Sequence, residues 1–343
     1  MAVDVADWGV YGNRAAFERL QRAVVQGPRH AYLLSGPDFV GKSHLATAFA
    51  AALMCPEAPD PGVYCGACST CRRIFKGVHP DVSRFDLEYQ ASQDEGKTKN
   101  LTLNISTVRA IGRHVSLRPV EARWRVVVVD DVETMQETAQ EAFLKTLEEP
   151  PSYVVILMLC TDAELLLPTI LSRCAVVPMV PATEGVVKDA LMERGASEAD
   201  AGRIAVATRG RVGLALRALE DDALLEGLSE HVEAAVSWVI SDEYARMVEA
   251  IRLADRFSGE REHVFDRLMA VQAAWRDLVL AATEVARGAV HPVVTAGRLG
   301  SLDDGVRAIV VTDRCIRDLE ANVRPRAALA TMVQEWPEVE PAT

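Results

Sequence analysis

What this 343-residue chain lacks sets its limits first. It has no long hydrophobic run. The longest, Tyr153 to Cys160, is far too short to cross a bilayer as a helix. It has no excess of positive charge, with 37 lysines and arginines against 49 aspartates and glutamates, a net of -12. That argues against a protein that coats nucleic acid by charge alone, but leaves room for a local basic stripe within a larger assembly. Met1 to Tyr11 shows no basic segment followed by an apolar run, so no secretory signal is expected. The expected compartment is the cytoplasm, with no membrane partner. No internal repeat is evident.

What is present is an ordinary soluble mixture, 49% apolar and 25% charged. The length implies two or three domains. The first half alternates strand-like and helix-like segments. Ala31–Ser35 reads as a buried strand and Lys42–Met54, rich in alanine, as a helix. Val126–Val129 is a β-branched run suited to a parallel strand covered on both faces. Glu133–Glu149 reads as a helix stopped by Pro150 and Pro151, and Tyr153–Leu159 as another buried strand. This alternation predicts an α/β domain with a parallel sheet. Leu87 to Asn100 is almost wholly polar and is expected to be a solvated loop. After about Pro181 helical periodicity dominates to about Val333, with breaks near Gly195, Gly210 and Ser241. The segment from Trp336 to Thr343 is expected to be a frayed tail.

Gly36-Pro37-Asp38-Phe39-Val40-Gly41-Lys42-Ser43 matches G-x-x-x-x-G-K-[ST] in full. It follows a predicted strand and opens a predicted helix, the context the motif requires. Glycines let backbone N–H groups converge on phosphate oxygens, and the helix N-terminus adds a positive dipole end. Lys42 would reach the β- and γ-phosphates of ATP, and the Ser43 hydroxyl would ligate Mg²⁺. Asp130, at the end of the valine run, would hold the Mg²⁺ shell. Asp131 stands where such ATPases usually carry a glutamate, one methylene longer. It is either a weakened catalytic carboxylate or a solvated, capping one.

Seven cysteines are present, and Cys55, Cys65, Cys68 and Cys71 form C-x9-C-x2-C-x2-C. In a reducing compartment such clustering favours metal over disulfide. Four thiolates would close a tetrahedral Zn²⁺ shell of structural type. An iron–sulfur cluster or free thiols are the competing readings. Cys160, Cys174 and Cys315 are isolated and read as core residues.

Five segments together are more specific. They are His30–Pro37, the cysteine knuckle after the phosphate-loop helix, Glu141–Pro151, Thr161–Asp162 with Leu167–Cys174, and Ala321–Leu329. In this order they resemble the subunits of the bacterial DNA polymerase III clamp loader, which are AAA+ proteins. The resemblance implies an AAA+ P-loop domain at residues 1–179 with its zinc module at 55–71. Two all-α domains would follow, a small helical lid at 180–232 and an oligomerising collar at 233–335, with a tail at 336–343. It implies sensor 1 at Thr161 and an arginine finger at Arg173, which in this family reaches the nucleotide of the adjacent subunit. It implies as partners the gamma/tau and delta subunits in a hetero-pentamer, the sliding clamp, and primed DNA through the complex.

The family contains ATPase motors and a rigid stator that resembles them. Three departures favour the stator. The acidic motif is Asp130-Asp131-Val132-Glu133, the motor's sensor 2 arginine aligns with Gly213, and the long extension of a full tau is missing. Arg211 and Arg217 could substitute in part for the missing arginine. The runner-up is a gamma/tau-type motor. A free-standing P-loop kinase is disfavoured by the Ser172-Arg173-Cys174 element, and a purely structural zinc protein would leave the loop idle.

Overall fold

In the computed structural model, which describes residues 8–93, 102–283, 297–321 and 323–341, the chain divides into two compact units. One comprises Met1–Arg194 with Arg209–Ala215, the other Gly195–Thr208 with Leu216–Thr343.

The first unit is built on five parallel strands in the order β2-β3-β4-β1-β5. These are β1 (Ala31–Ser35), β2 (Val82–Phe85), β3 (Arg125–Val129), β4 (Val154–Cys160) and β5 (Ala175–Pro178). Strand side chains alternate between faces. Tyr32, Leu34, Val126, Val128, Val155 and Leu157 therefore enter one core, with α1 (Arg14–Gln26) and α2 (Lys42–Met54). Ala31, Leu33, Val127, Val129, Ile156 and Met158 enter a second core on the other face, with α5 (Ile105–Ser116) and α6 (Glu137–Glu148). Both faces are covered, so β3 and β4 read as unbroken apolar runs. Between α2 and β2 lies α3 (Ser69–Phe75), which packs on α2.

Two expectations are revised here. The helix expected over Glu133–Glu149 is broken. A 3-10 turn at Val132–Thr134 comes first, and α6 starts only at Glu137. The Thr134 hydroxyl donates to the Asp131 carbonyl at 2.7 Å, and Met135 turns its buried side chain into the core before the helix begins. The solvated loop expected from Leu87 opens instead with α4 (Leu87–Gln93), capped by Asp86, whose carboxylate accepts from Tyr89 N–H at 2.7 Å. Gln90 is buried. Its amide donates to Thr102 O and its carbonyl accepts from Asn104 N–H and the Thr107 hydroxyl. Residues 94–100 of that expectation lie outside the described residues.

The second unit is helical, as expected after Pro181, with one addition. It holds α9 (Glu198–Thr208), α11 (Asp222–Ile240), α12 (Glu243–Arg256), α13 (Arg261–Ala282), α14 (Leu302–Glu320) and α15 (Pro325–Glu335). The preceding α8 (Glu184–Glu193) belongs to the first unit, and α10 (Val212–Glu220) has its first residues in the first unit and the rest in the second. Short strands β6 (Gly297–Leu299) and β7 (Val339–Pro341) pair antiparallel. The frayed tail expected from Trp336 is therefore corrected as far as Pro341. Trp336 is buried, and its indole N–H donates to the Thr312 hydroxyl at 3.1 Å. The buried Arg246 guanidinium lies 5.8 Å from the Trp275 ring and 5.7 Å from the Trp336 ring, and donates to Pro337 O at 2.7 Å.

Candidate functional site

The phosphate-loop motif spans the turn from β1 into α2. Gly36 donates its N–H to Cys160 O at 3.1 Å. A Cβ at Gly36 would sit 2.1 Å from Met179 O, so only glycine fits. Gly41 caps α2 at φ 102°, a left-handed geometry natural to glycine. Phe39 also has positive φ, 62°, a conformation that costs a bulky residue roughly 1–3 kcal/mol. It is held from outside: Gly213 N–H donates to Phe39 O at 2.8 Å. Asn13, buried, ties the loop to the sheet edge, donating to Val180 O at 3.0 Å and Val40 O at 3.4 Å. Neither contact had a signal in the sequence. Lys42 is buried. Its ammonium donates to Gly36 O and, at 3.0 Å, to Pro37 O, with Asp38 Oδ1 at 3.5 Å. An entering phosphate would exchange for these carbonyls, so Lys42 and Ser43 open α2 where the motif requires them.

Asp130 follows β3. Its Oδ2 accepts from Arg84 Nη2, and its Oδ1 accepts from Asp131 N–H at 3.2 Å. Asp131 has φ 52° and ψ 37°. Burial pushes its carboxyl up to about 6, and the carboxylates of Asp130, Glu133, Asp38 and Asp86 add to the rise. Glu133 was noted in the sequence only as a departure from a motor pattern. Here its Oε1 accepts both the N–H (2.8 Å) and the hydroxyl (2.5 Å) of Thr161. Its Oε2 is buried with no hydrogen-bond partner. A buried carboxylate oxygen left unpaired is costly. A divalent cation accompanied by phosphate would relieve both that oxygen and the crowding around Asp131, so the donor set fits Mg²⁺ with a nucleotide.

Arg173 lies just beyond α7 (Pro168–Leu171). Its guanidinium contacts Glu148 Oε1 at 2.8 Å, Thr169 O at 2.8 Å and Ser172 Oγ at 3.4 Å. Its polar contacts therefore do not join it to the phosphate loop or to Asp130 and Asp131. Gly213 does meet the phosphate loop. A Cβ there would stand 3.0 Å from Phe39 O, so the position aligned with sensor 2 is already in contact with the loop backbone.

The sulfur atoms of Cys55, Cys65, Cys68 and Cys71 lie within 4.8 Å of one another. Cys55 and Cys68 sulfurs are 3.9 Å apart, and those of Cys65 and Cys71 are 4.0 Å apart. A tetrahedral shell with zinc–sulfur bonds of ~2.3 Å sets its sulfurs about 3.8 Å apart. Backbone N–H groups of Cys65, Cys68 and Cys71 point at the preceding sulfurs at 3.3, 3.3 and 3.4 Å. All four thiols are free of disulfides, and the cluster could hold one metal ion. Cys160 and Cys315 are buried in the core, as expected, and Cys174 is half-buried.

Residues 12–183 match the family model described as DNA polymerase III, delta subunit. The chain belongs to this family. The chain is 33% identical over 168 residues to the DNA polymerase III subunit tau of Bacillus subtilis, covering 48% of this chain and 27% of that protein. It is 37% identical over 146 residues to the DNA polymerase III subunit delta' of Pseudomonas aeruginosa, covering 42% of this chain and 41% of that protein. The matched stretch thus spans less than half the length of these relatives. A DNA polymerase III gamma subunit-related protein of Thermotoga maritima superposes over 92% of this chain and 97% of its own, at 19% identity and a TM-score of 0.46. Among the described residues no helix is long and apolar enough to cross a membrane.

Proposed function

We propose that the chain is a delta-prime-type subunit of a DNA polymerase III clamp loader. It binds ATP with Mg²⁺ at Gly36–Ser43 and Asp130, holds a structural Zn²⁺ in its four cysteines, and turns ATP over slowly or not at all. Residues 1–179, 180–232 and 233–335 act as nucleotide domain, lid and collar within a hetero-pentamer with gamma/tau and delta. That assembly loads the sliding clamp onto primed DNA in the cytoplasm.

One observation carries the stator reading. Gly213, where a motor subunit bears its sensor 2 arginine, donates its N–H to the Phe39 carbonyl at 2.8 Å. With glycine there, no guanidinium can reach phosphate from this position. Asp131 supports the same reading by its length, since its carboxylate stands one methylene short of the glutamate usual there and proximity decides such chemistry. Lys42 and Ser43 bind and orient phosphate, and Thr161 senses it through its link to Glu133. The chain's contribution to catalysis is then Arg173, offered to a neighbour's nucleotide.

The test is ATP titration and turnover by the purified chain. Tight binding with turnover well under ~1 s⁻¹ is expected, a slow value for an enzyme. Turnover at or above that rate would replace the stator with the gamma/tau-type motor.

A further inference from the structure

A cationic pocket lies at the end of the sheet opposite the phosphate loop, where β1 begins rather than ends. The cavity measures about 230 Å³ and is lined by Arg19, Arg22, Gln26, Arg29, Tyr32 and neighbouring small residues. No carboxylate lines it. The chain as a whole carries a net charge of -12, so this patch runs against the overall sign. Among the described residues none of the three arginines forms an ion pair, whereas Arg14, on the helix that carries Arg19 and Arg22, takes up Glu18 at 2.8 Å. Arg19 donates one N–H to Val176 O at 2.6 Å, which aims its guanidinium across the strand edge.

The fourth polar group is buried. Tyr32 is only 2% exposed, and its hydroxyl oxygen accepts from Arg29 N–H at 2.8 Å. The phenol proton has no acceptor among the described residues. Burial raises its pKa, so it remains a donor. The pocket therefore presents three guanidinium groups and one buried O–H as donors, beside the Gln26 amide, which can turn its NH2 to the same ligand, and no carboxylate. Such a set matches a tetrahedral oxyanion, since guanidinium forks pair with phosphate oxygens and a phenol supplies a further short bond.

We infer that Arg19, Arg22, Arg29 and Tyr32 form a phosphate-binding site separate from the nucleotide loop. Its ligand is a phosphate group, carried either by a nucleic-acid backbone or by a small phosphate ester. Backbone phosphates position a strand without reading its sequence. A site of this kind would give an acidic protein a local handle on a strand that its overall charge repels.

The experiment separates the two phosphate sites first. Lys42→Ala removes the main cation of the loop, and calorimetry with inorganic phosphate then reports the remaining site. The Lys42→Ala protein should still bind phosphate. Adding Arg22→Gln and Arg29→Gln, both exposed and so harmless to folding, should weaken that binding roughly tenfold or more, the scale of two charge-assisted bonds. Tyr32→Phe should weaken it less. A labelled single-stranded oligonucleotide, followed by anisotropy at low salt, identifies the source. Parallel loss points to a strand, and unchanged oligonucleotide binding points to a small ester. Phosphate binding absent from Lys42→Ala, or equal with and without the arginines, would overturn the site.

Discussion

Asp131 sits where three constraints meet. Its backbone is left-handed, its carboxyl is partly buried, and other carboxylates crowd it. The unfolded chain ionises it near the ordinary aspartate value of 3.8, the folded chain near 6. Its favourable contribution to folding is thus full below 3.8 and is lost as pH rises through about 6. Asn tolerates the left-handed region well, so Asp131→Asn removes the charge without adding backbone strain. The variant should have a higher Tm than the wild type at neutral pH in the absence of nucleotide, and the gain should shrink as pH falls below about 6. Thermal melts across pH measure this directly, and a variant no more stable at neutral pH would mean that the carboxyl is not strained. The sequence pointed to Asp130 and Asp131 but not to Glu133. What singles out Glu133 is its grip on Thr161 and an oxygen left buried and unpaired, and both depend on β3 and β4 being neighbours.

At the scale of elements, β1 and α2 were legible to the residue because each has one strong pattern, a short buried apolar run and an alanine-rich stretch. The edge strands β2 and β5 were not. Val82–Phe85 is mostly half-exposed and carries Arg84, and Ala175–Pro178 ends in a proline that only an edge tolerates. The helix α4 was hidden by Gln90, a polar residue whose burial is compensated by three partners far along the chain. The cysteine knuckle was legible from spacing alone, but its attachment was not. Trp8 Nε1 donates to Gly62 O at 3.0 Å, and a Cβ at Gly62 would meet Gln21 Cγ at 2.9 Å, so the 55–65 loop is clamped between Trp8 and α1. Metal binding to four thiolates contributes folding free energy directly. Cys68→Ser should therefore lower metal content from one zinc per chain and raise hydrogen exchange across residues 55–75, while ATP affinity changes little. Fresh protein that holds no zinc, or holds iron with sulfide, would defeat the assignment. Exchange left unchanged in the variant would mean that the metal does not support the fold.

For the molecule as a whole, the deciding residue is Arg173, proposed as a donor to a neighbour's nucleotide. Arg173 is docked on Glu148 at 2.8 Å and on the Thr169 carbonyl at 2.8 Å, at a partly exposed position. An exposed ion pair of this kind contributes little stability. On the proposed reading, Glu148 holds a planar fork ready, and a neighbour's phosphate would take the acid's place. A guanidinium supplied in trans stabilises charge that develops on the transferring phosphoryl group, and is worth about 10³–10⁵ in rate. Arg173→Ala should accordingly leave ATP binding by the isolated chain unchanged. In a reconstituted loader of equal assembly, checked by gel filtration, hydrolysis at the adjacent site should fall by roughly 10³ or more. Arg173→Lys should rescue poorly, because an ammonium is a point charge without the fork. Glu148→Gln, which loosens the dock but keeps the arginine, should cost far less than Arg173→Ala. Equal turnover in wild-type and Arg173→Ala loaders would reduce Arg173 to a surface residue. Loss of ATP binding in the isolated variant would mean that it acts on its own nucleotide, and the reading of this chain as a donor to its neighbour would fall.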